Sequence, residues 1–138
     1  RGERLVLFRP EETAEEPVFS EAAVRNRLHA RIFPYVQGEP IPGGRFLQWF
    51  DRDKMPADYE IRTRRPGDKL ALRGVGHKSL RALMTEAKMP LDSRDRLPLL
   101  VSATGELIWA VGLRSSAAYW VDETTTDILE LRYEGEKV

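Results

Sequence analysis

Apolar and polar residues alternate with a period of two along most of this chain, and a helical period takes over once. "RLVLFR" (Arg4–Arg9) reads as a short strand at an edge. "PEETAEEP" follows as a solvated loop, its four glutamates bracketed by prolines. In "VRNRLHARIF", Val24, Leu28, Ala30 and Ile32 alternate with Arg25, Arg27, His29 and Arg31, which predicts a half-buried strand. A helix capped by Ser20, with Val24, Leu28 and Ile32 on one side, stays open as the alternative. "VQGEPIPGG" holds only turns. "RFLQWFD" is the next strand, and "YEIRTRR" another, with Tyr59, Ile61 and Thr63 on one face and Glu60, Arg62 and Arg64 on the other.

Past the turn signal Pro66–Asp68, the period changes. Leu80, Leu83, Met84 and Ala87 fall at i, i+3, i+4 and i+7, an apolar stripe on a helix whose polar side carries Lys78, Arg81, Thr85 and Lys88. Pro90 ends it. "LPLLVSATGELIWAV" then reads as a hairpin turning at Thr104-Gly105, and "AYWV" and "DILELRY" as two further strands. The class is α+β: a mostly antiparallel, sandwich-like β core with one main amphipathic helix near residues 78–88. The expected core is Ile61, Leu70, Leu80, Leu83, Met84, Leu99, Val101, Ile108 and Trp109.

A length of 138 residues supports one domain or two small lobes. No cysteine is present, which removes disulfides, thiolate metal sites and a thiol nucleophile, and suits a reducing cytoplasm. No stretch approaches the ~20 apolar residues of a membrane span. The start at Arg1 fits a fragment of something longer or a processed terminus. The net charge of zero hides a segregation. Residues 1–60 carry a balance of −2, residues 61–96 carry ten Lys/Arg against four Asp/Glu, and residues 97–138 carry −4. The middle segment attracts a polyanion, or else is neutralised by the acidic tail within the fold.

Candidate chemistry concentrates in that segment. "RGVGHKSL" is not a nucleotide-binding P-loop: His77 separates Gly76 from Lys78, and Ala71 stands where the distant glycine is required. Glycines before a helix start still let backbone N–H groups approach a phosphate, with His77 and Lys78 beside them. An ordinary strand-to-helix turn is the bland reading. Arg62, Arg64, Arg65, Lys69 and Arg73 supply cations suited to phosphate oxygens or, equally, a solvated face. Arg25, Arg27, His29 and Arg31 form a weaker row. His29 and His77 are the only histidines, so no metal site is expected. Asp51, Asp53, Asp58, Asp92 and Asp95 form no catalytic pair; the last two are expected to brace Arg94 and Arg96. Trp49, Trp109 and Trp120 are read as core rather than as stacking platforms. No catalytic constellation emerges.

The order of several segments resembles the C-terminal region of the bacterial tRNA(Ile)-lysidine synthase family. They are "WFDRDKMP" (Trp49–Pro56), "IRTRRPGDKL" (Ile61–Leu70), "GHKSLRALMTEAKMP" (Gly76–Pro90), "RDRLPLLV" (Arg94–Val101), "GELIWAVGLRSS" (Gly105–Ser116) and "TTTDILELRYE" (Thr124–Glu134). The resemblance divides the chain into a β-rich preceding segment, 1–57, and a tRNA-binding C-terminal domain, 58–138. It implies a parent ligase that uses ATP, with magnesium, to attach lysine to the wobble cytidine of an isoleucine tRNA. That chemistry lies in an N-terminal domain with an SGGxDS-type loop absent here, so the fragment has no catalytic residue and no cofactor of its own. Its implied role is to hold tRNA on the acceptor-stem side. The expected contacts are Arg62, Arg64, Arg65, Lys69 and Arg73, with His77 and Lys78 at the helix start and Arg81 on the same face; Asp68 orients neighbouring arginines. Where many members carry a second lysine, this chain has Ser79. Implied partners are tRNA and the parent's catalytic domain, with a homodimer left open, in the cytoplasm. The alternative is an architectural or dimerisation module that does not touch RNA.

Overall fold

The computed structural model describes residues 19–74 and 76–135. The strand expected at Arg4–Arg9 and the acidic loop after it lie outside these residues. In chain order come α1 (Glu21–Arg27), β1 (Leu28–Pro34), β2 (Leu47–Asp51), β3 (Glu60–Arg62), β4 (Lys69–Leu72), β5 (Gly76–Ser79), α2 (Leu80–Glu86) and α3 (Leu91–Arg94). β6 (Leu99–Val101), β7 (Leu107–Ala110), β8 (Arg114–Ser115), a 3-10 turn (Ala117–Tyr119) and β9 (Asp127–Tyr133) follow.

The central layer is the antiparallel sheet β3-β6-β7-β8. Register places Leu99 opposite Ala110, Leu100 opposite Trp109 and Val101 opposite Leu107, leaving Ile108 as the extra residue of a bulge. Leu100, Ile108 and Trp109 point into one apolar cluster with Phe50, Ile61 and Leu131. Leu99, Val101, Leu107 and Ala110 point into another with Leu70, Leu80, Leu83 and Met84. A sheet covered on both faces needs apolar residues on both, hence the unbroken run "LLV". All nine residues expected in the core are buried, none more than 4% exposed.

The first cluster is closed by a second sheet, β1-β9-β2, with β9 in the middle. Asp127–Tyr133 pairs antiparallel with Leu28–Pro34, and Ile128–Arg132 with Leu47–Asp51. The described residues before 58, 19–57, therefore share a sheet and a core with the rest. The second cluster is closed by α2 and the β4–β5 hairpin.

Two expected strands are corrected. In "VRNRLHARIF" the chain is helical to Arg27: Ser20 accepts a hydrogen bond from the Ala23 amide at 3.2 Å and Val24 is buried. The strand begins only at Leu28. It is an edge strand, and Ile32, expected inside, is 53% exposed. "AYWV" is a 3-10 turn capped by Ser116, whose hydroxyl accepts from the Ala118 amide; only Trp120 makes a β-bridge, to Phe50.

Candidate nucleic-acid interface

The basic middle segment runs from β3 through a tight turn into the β4–β5 hairpin and then α2. In the turn Arg65–Asp68, the Asp68 amide donates to the Arg65 carbonyl at 3.2 Å, and Gly67 takes a φ of 89° that its neighbours would resist. The Asp68 carboxylate organises everything around it. Arg62 grips it with two guanidinium nitrogens at 2.9 and 3.0 Å, and the Arg65 amide donates to it at 2.7 Å. Burial by itself would raise the Asp68 carboxyl. The Arg62 and Arg65 hydrogen bonds, with the charges of both arginines, outweigh it and hold the group below its ordinary value. The expectation that Asp68 orients arginines matches this arrangement.

Arg62 is consequently turned inward, its side chain only 11% exposed, with one of the same guanidinium nitrogens also donating to the Thr63 carbonyl. It drops out of the expected phosphate-facing row. Strand alternation from Glu60 predicts the outward face, but β3 ends at Arg62 and the chain bends into the Asp68 turn. Arg64 remains at the surface but donates to Asp95 at 2.9 Å, a partner 31 residues away. Asp95 therefore braces Arg64 rather than Arg94 or Arg96. Arg94 instead donates to the Met89 carbonyl and Thr85, and Arg96 to the Asp92 carbonyl.

The helix start is also corrected. His77 and Lys78 lie on β5, not in α2's first turn. The glycines serve the hairpin, where Gly74 and Gly76 both have a φ of 76°. Lys78, facing the same side as buried Leu70, pairs with Glu86. Ser79 caps α2, accepting from the Ala82 amide at 3.0 Å. The Lys78-Ser79 pair thus offers no phosphate loop. A lysine at position 79 would forfeit this cap.

What remains outward is a groove of about 670 Å³ between the Asp68 turn, α2 and α3, lined by Arg64, Arg65, Arg81 and Arg94 among others. Lys69 stands beside it, paired in register with Ser79 of its wall. Arg65, Lys69 and Arg81 are exposed, and among the described residues their charged groups make no hydrogen bond or ion pair. Arg73 and His77, equally free, sit toward the other end of the hairpin and line a separate hollow with Trp120 and Lys54. The eight expected contacts thus divide. Arg64, Arg65 and Arg81 meet in the groove with Lys69 beside it; Arg73 and His77 lie apart; Arg62 and Lys78 are engaged internally. Sequence reasoning missed Arg94, which falls on the groove because α3 follows α2 so closely.

Other charged rows are neutralised within the fold. Arg31 forms a two-pronged pair with Glu130 at 2.9 and 3.1 Å, and His29 meets Glu134 at 3.0 Å. Asp51 is buried, accepting from Thr125 at 2.8 Å and from the Asp53 amide. Among the described residues no group of His, Asp and Glu is arranged to hold a metal, and no helix is long and apolar enough to cross a membrane.

Residues 59–132 match the family described as the TilS substrate C-terminal domain. The chain belongs to that family. The TilS C-terminal segment thus takes in β3 through most of β9, including the whole groove. The tRNA(Ile)-lysidine synthase of Caldanaerobacter subterraneus subsp. tengcongensis is 33% identical over 108 residues, covering 78% of this chain and 23% of that protein. That of Symbiobacterium thermophilum is 47% identical over 66 residues, covering 47% and 14%. The chain therefore matches less than a quarter of the length of these curated relatives. A crystal structure of a TilS C-terminal domain superposes with a TM-score of 0.66 at 27% identity, covering 83% of this chain and 89% of that one.

Proposed function

We propose that this TilS C-terminal domain holds tRNA, on the acceptor-stem side, for a ligase that attaches lysine to the wobble cytidine of an isoleucine tRNA. The observation that carries the reading is the groove flanked by Arg65, Lys69 and Arg81, exposed cations whose charged groups make no hydrogen bond or ion pair among the described residues. Ion pairs within the fold account for Arg62, Arg64 and Lys78, and among the described residues these three form none. A-form RNA displays phosphates and 2′-hydroxyls across a shallow minor groove, which guanidinium and ammonium groups on a rigid surface suit. ATP, magnesium and lysine belong on this reading to another part of the enzyme. Here Ser79 is committed to a helix cap and Lys78 to Glu86, so neither is available to grip a nucleotide's phosphates. The setting is cytoplasmic, where tRNA is modified.

Salt titration tests the reading. Each lost phosphate contact should flatten the slope of log K against log salt by roughly one unit. Arg65→Glu/Arg81→Glu is expected to weaken tRNA binding at least tenfold and flatten the slope by about two units. A folded double variant with unchanged affinity would leave the architectural role instead.

A further inference from the structure

A second cleft, of about 400 Å³, lies between the loop before β2 and the segment from β8 to the residues after the 3-10 turn. Its lining includes two tryptophans, Trp49 and Trp120, three arginines, Arg45, Arg73 and Arg114, and no carboxylate. In a chain with equal numbers of acidic and basic residues, that composition selects for an anion.

Neither tryptophan is core. β2 sends Phe50 inward and Trp49 to the other face, where its ring meets the edge of Phe33 at 5.2 Å. Both indole N–H groups are already used: Trp49 Nε1 donates to Glu130 at 3.0 Å, and Trp120 Nε1 to Ser115 Oγ at 2.9 Å. What they offer a ligand is ring surface. The Ser115 hydroxyl passes its own proton to Gln48 Oε1 at 2.9 Å, and Gln48 Nε2 donates to the Gly44 carbonyl at 3.1 Å. A chain of hydrogen bonds thus fixes one tryptophan to the opposite wall, so the cleft is built before anything enters it. Above it, Arg73 and Arg114 have no hydrogen bond or ion pair among the described residues, and Arg45 spends only Nε, on the Gly112 carbonyl.

An inorganic anion would not need the tryptophans, and an apolar ligand would not need the arginines. A planar aromatic group carrying phosphate uses both. The geometry points to this cleft as a binding site for an unstacked nucleotide of a single RNA strand, its base against the tryptophans and its phosphates on Arg73 and Arg114. Paired bases in a duplex do not present their faces, so the ligand is a loop, a bulge or an end. The inference rests on the RNA-holding reading. Arg73 links the two sites: it follows β4, whose four residues span roughly 13 Å from Lys69 beside the groove.

The test uses the 138-residue chain with three probes: an eight-nucleotide single-stranded RNA, the same sequence as a blunt duplex, and cytidine monophosphate. Tryptophan fluorescence and RNA anisotropy are read together. The single strand is expected to quench the tryptophans. Arg114→Glu should weaken single-strand binding tenfold or more while duplex affinity stays within twofold. Trp120→Phe should bind within threefold of the parent and Trp120→Leu should lose tenfold, both judged folded by circular dichroism. Single-strand binding indifferent to Arg114→Glu, or binding without quenching, overturns the assignment even where duplex binding at the groove is intact. Equal affinity for cytidine monophosphate overturns it in favour of a free-nucleotide site. If neither RNA form binds at all, the RNA-holding reading fails and this one with it.

Discussion

At the residue scale, Asp68 determines which cations face solvent. It captures Arg62 through a two-pronged bridge, with both side chains almost fully buried and the Arg62 Nε left without a partner. Breaking a buried pair from one side costs more than the pair contributes, because the remaining charge is stranded. Asp68→Asn is therefore expected to lose about 3 kcal/mol of stability at neutral pH. The pH dependence has a definite sign. The folded carboxyl lies below the ordinary value of 3.8. Its stabilisation is fully present above that value and disappears as pH falls through the folded one. Thermal melts from about pH 5 to pH 2 should show a flatter acid decline for Asp68→Asn than for the parent. Parallel curves would show that the bridge is not what titrates. The pairing itself was half legible: Asp68 reads as a brace, yet nothing local separates Arg62 from Arg64, since the difference lies in where the strand stops.

At the element scale, the turn between β7 and β8 couples two sheets. Gly112 has a φ of 83°, and a Cβ there would lie 2.8 Å from Phe46 Cε1, on the chain entering β2. Gly112→Ala combines left-handed backbone strain with a displaced ring, and is expected to cost about 1–2 kcal/mol. A melting temperature unchanged from the parent would count against it. α2 and the β6–β7 hairpin were readable because their apolar periods coincide with burial, Leu80, Leu83 and Met84 on one stripe. α1 was not. Its arginines happen to alternate with apolar residues, and the decisive contact, Ser20 to the Ala23 amide, spans one turn and leaves a period-two pattern untouched. "AYWV" misled for a related reason: aromatic residues favour strands, but Ser116 caps a tighter turn first.

At the scale of the whole molecule, the sandwich was legible and its wiring was not. Composition announces a cationic middle third, but the partners that silence part of it lie far off, Asp95 for Arg64 at a separation of 31 residues. Trp49 and Trp120 likewise read as core until β2 shows its two faces. The wiring also concentrates stability in β9, which supplies the middle strand for both β1 and β2. A chain ending at Thr126 is expected to show no cooperative thermal transition, and a sharp one would refute this role. Arrangement in time follows from arrangement in space. A nascent chain leaving the ribosome exposes β1 and β2 long before their shared neighbour exists, so neither can complete its ladder as it emerges. Closure of this sheet waits until β9 has been made, and a product terminated before it carries two open edges that proteases and chaperones can recognise.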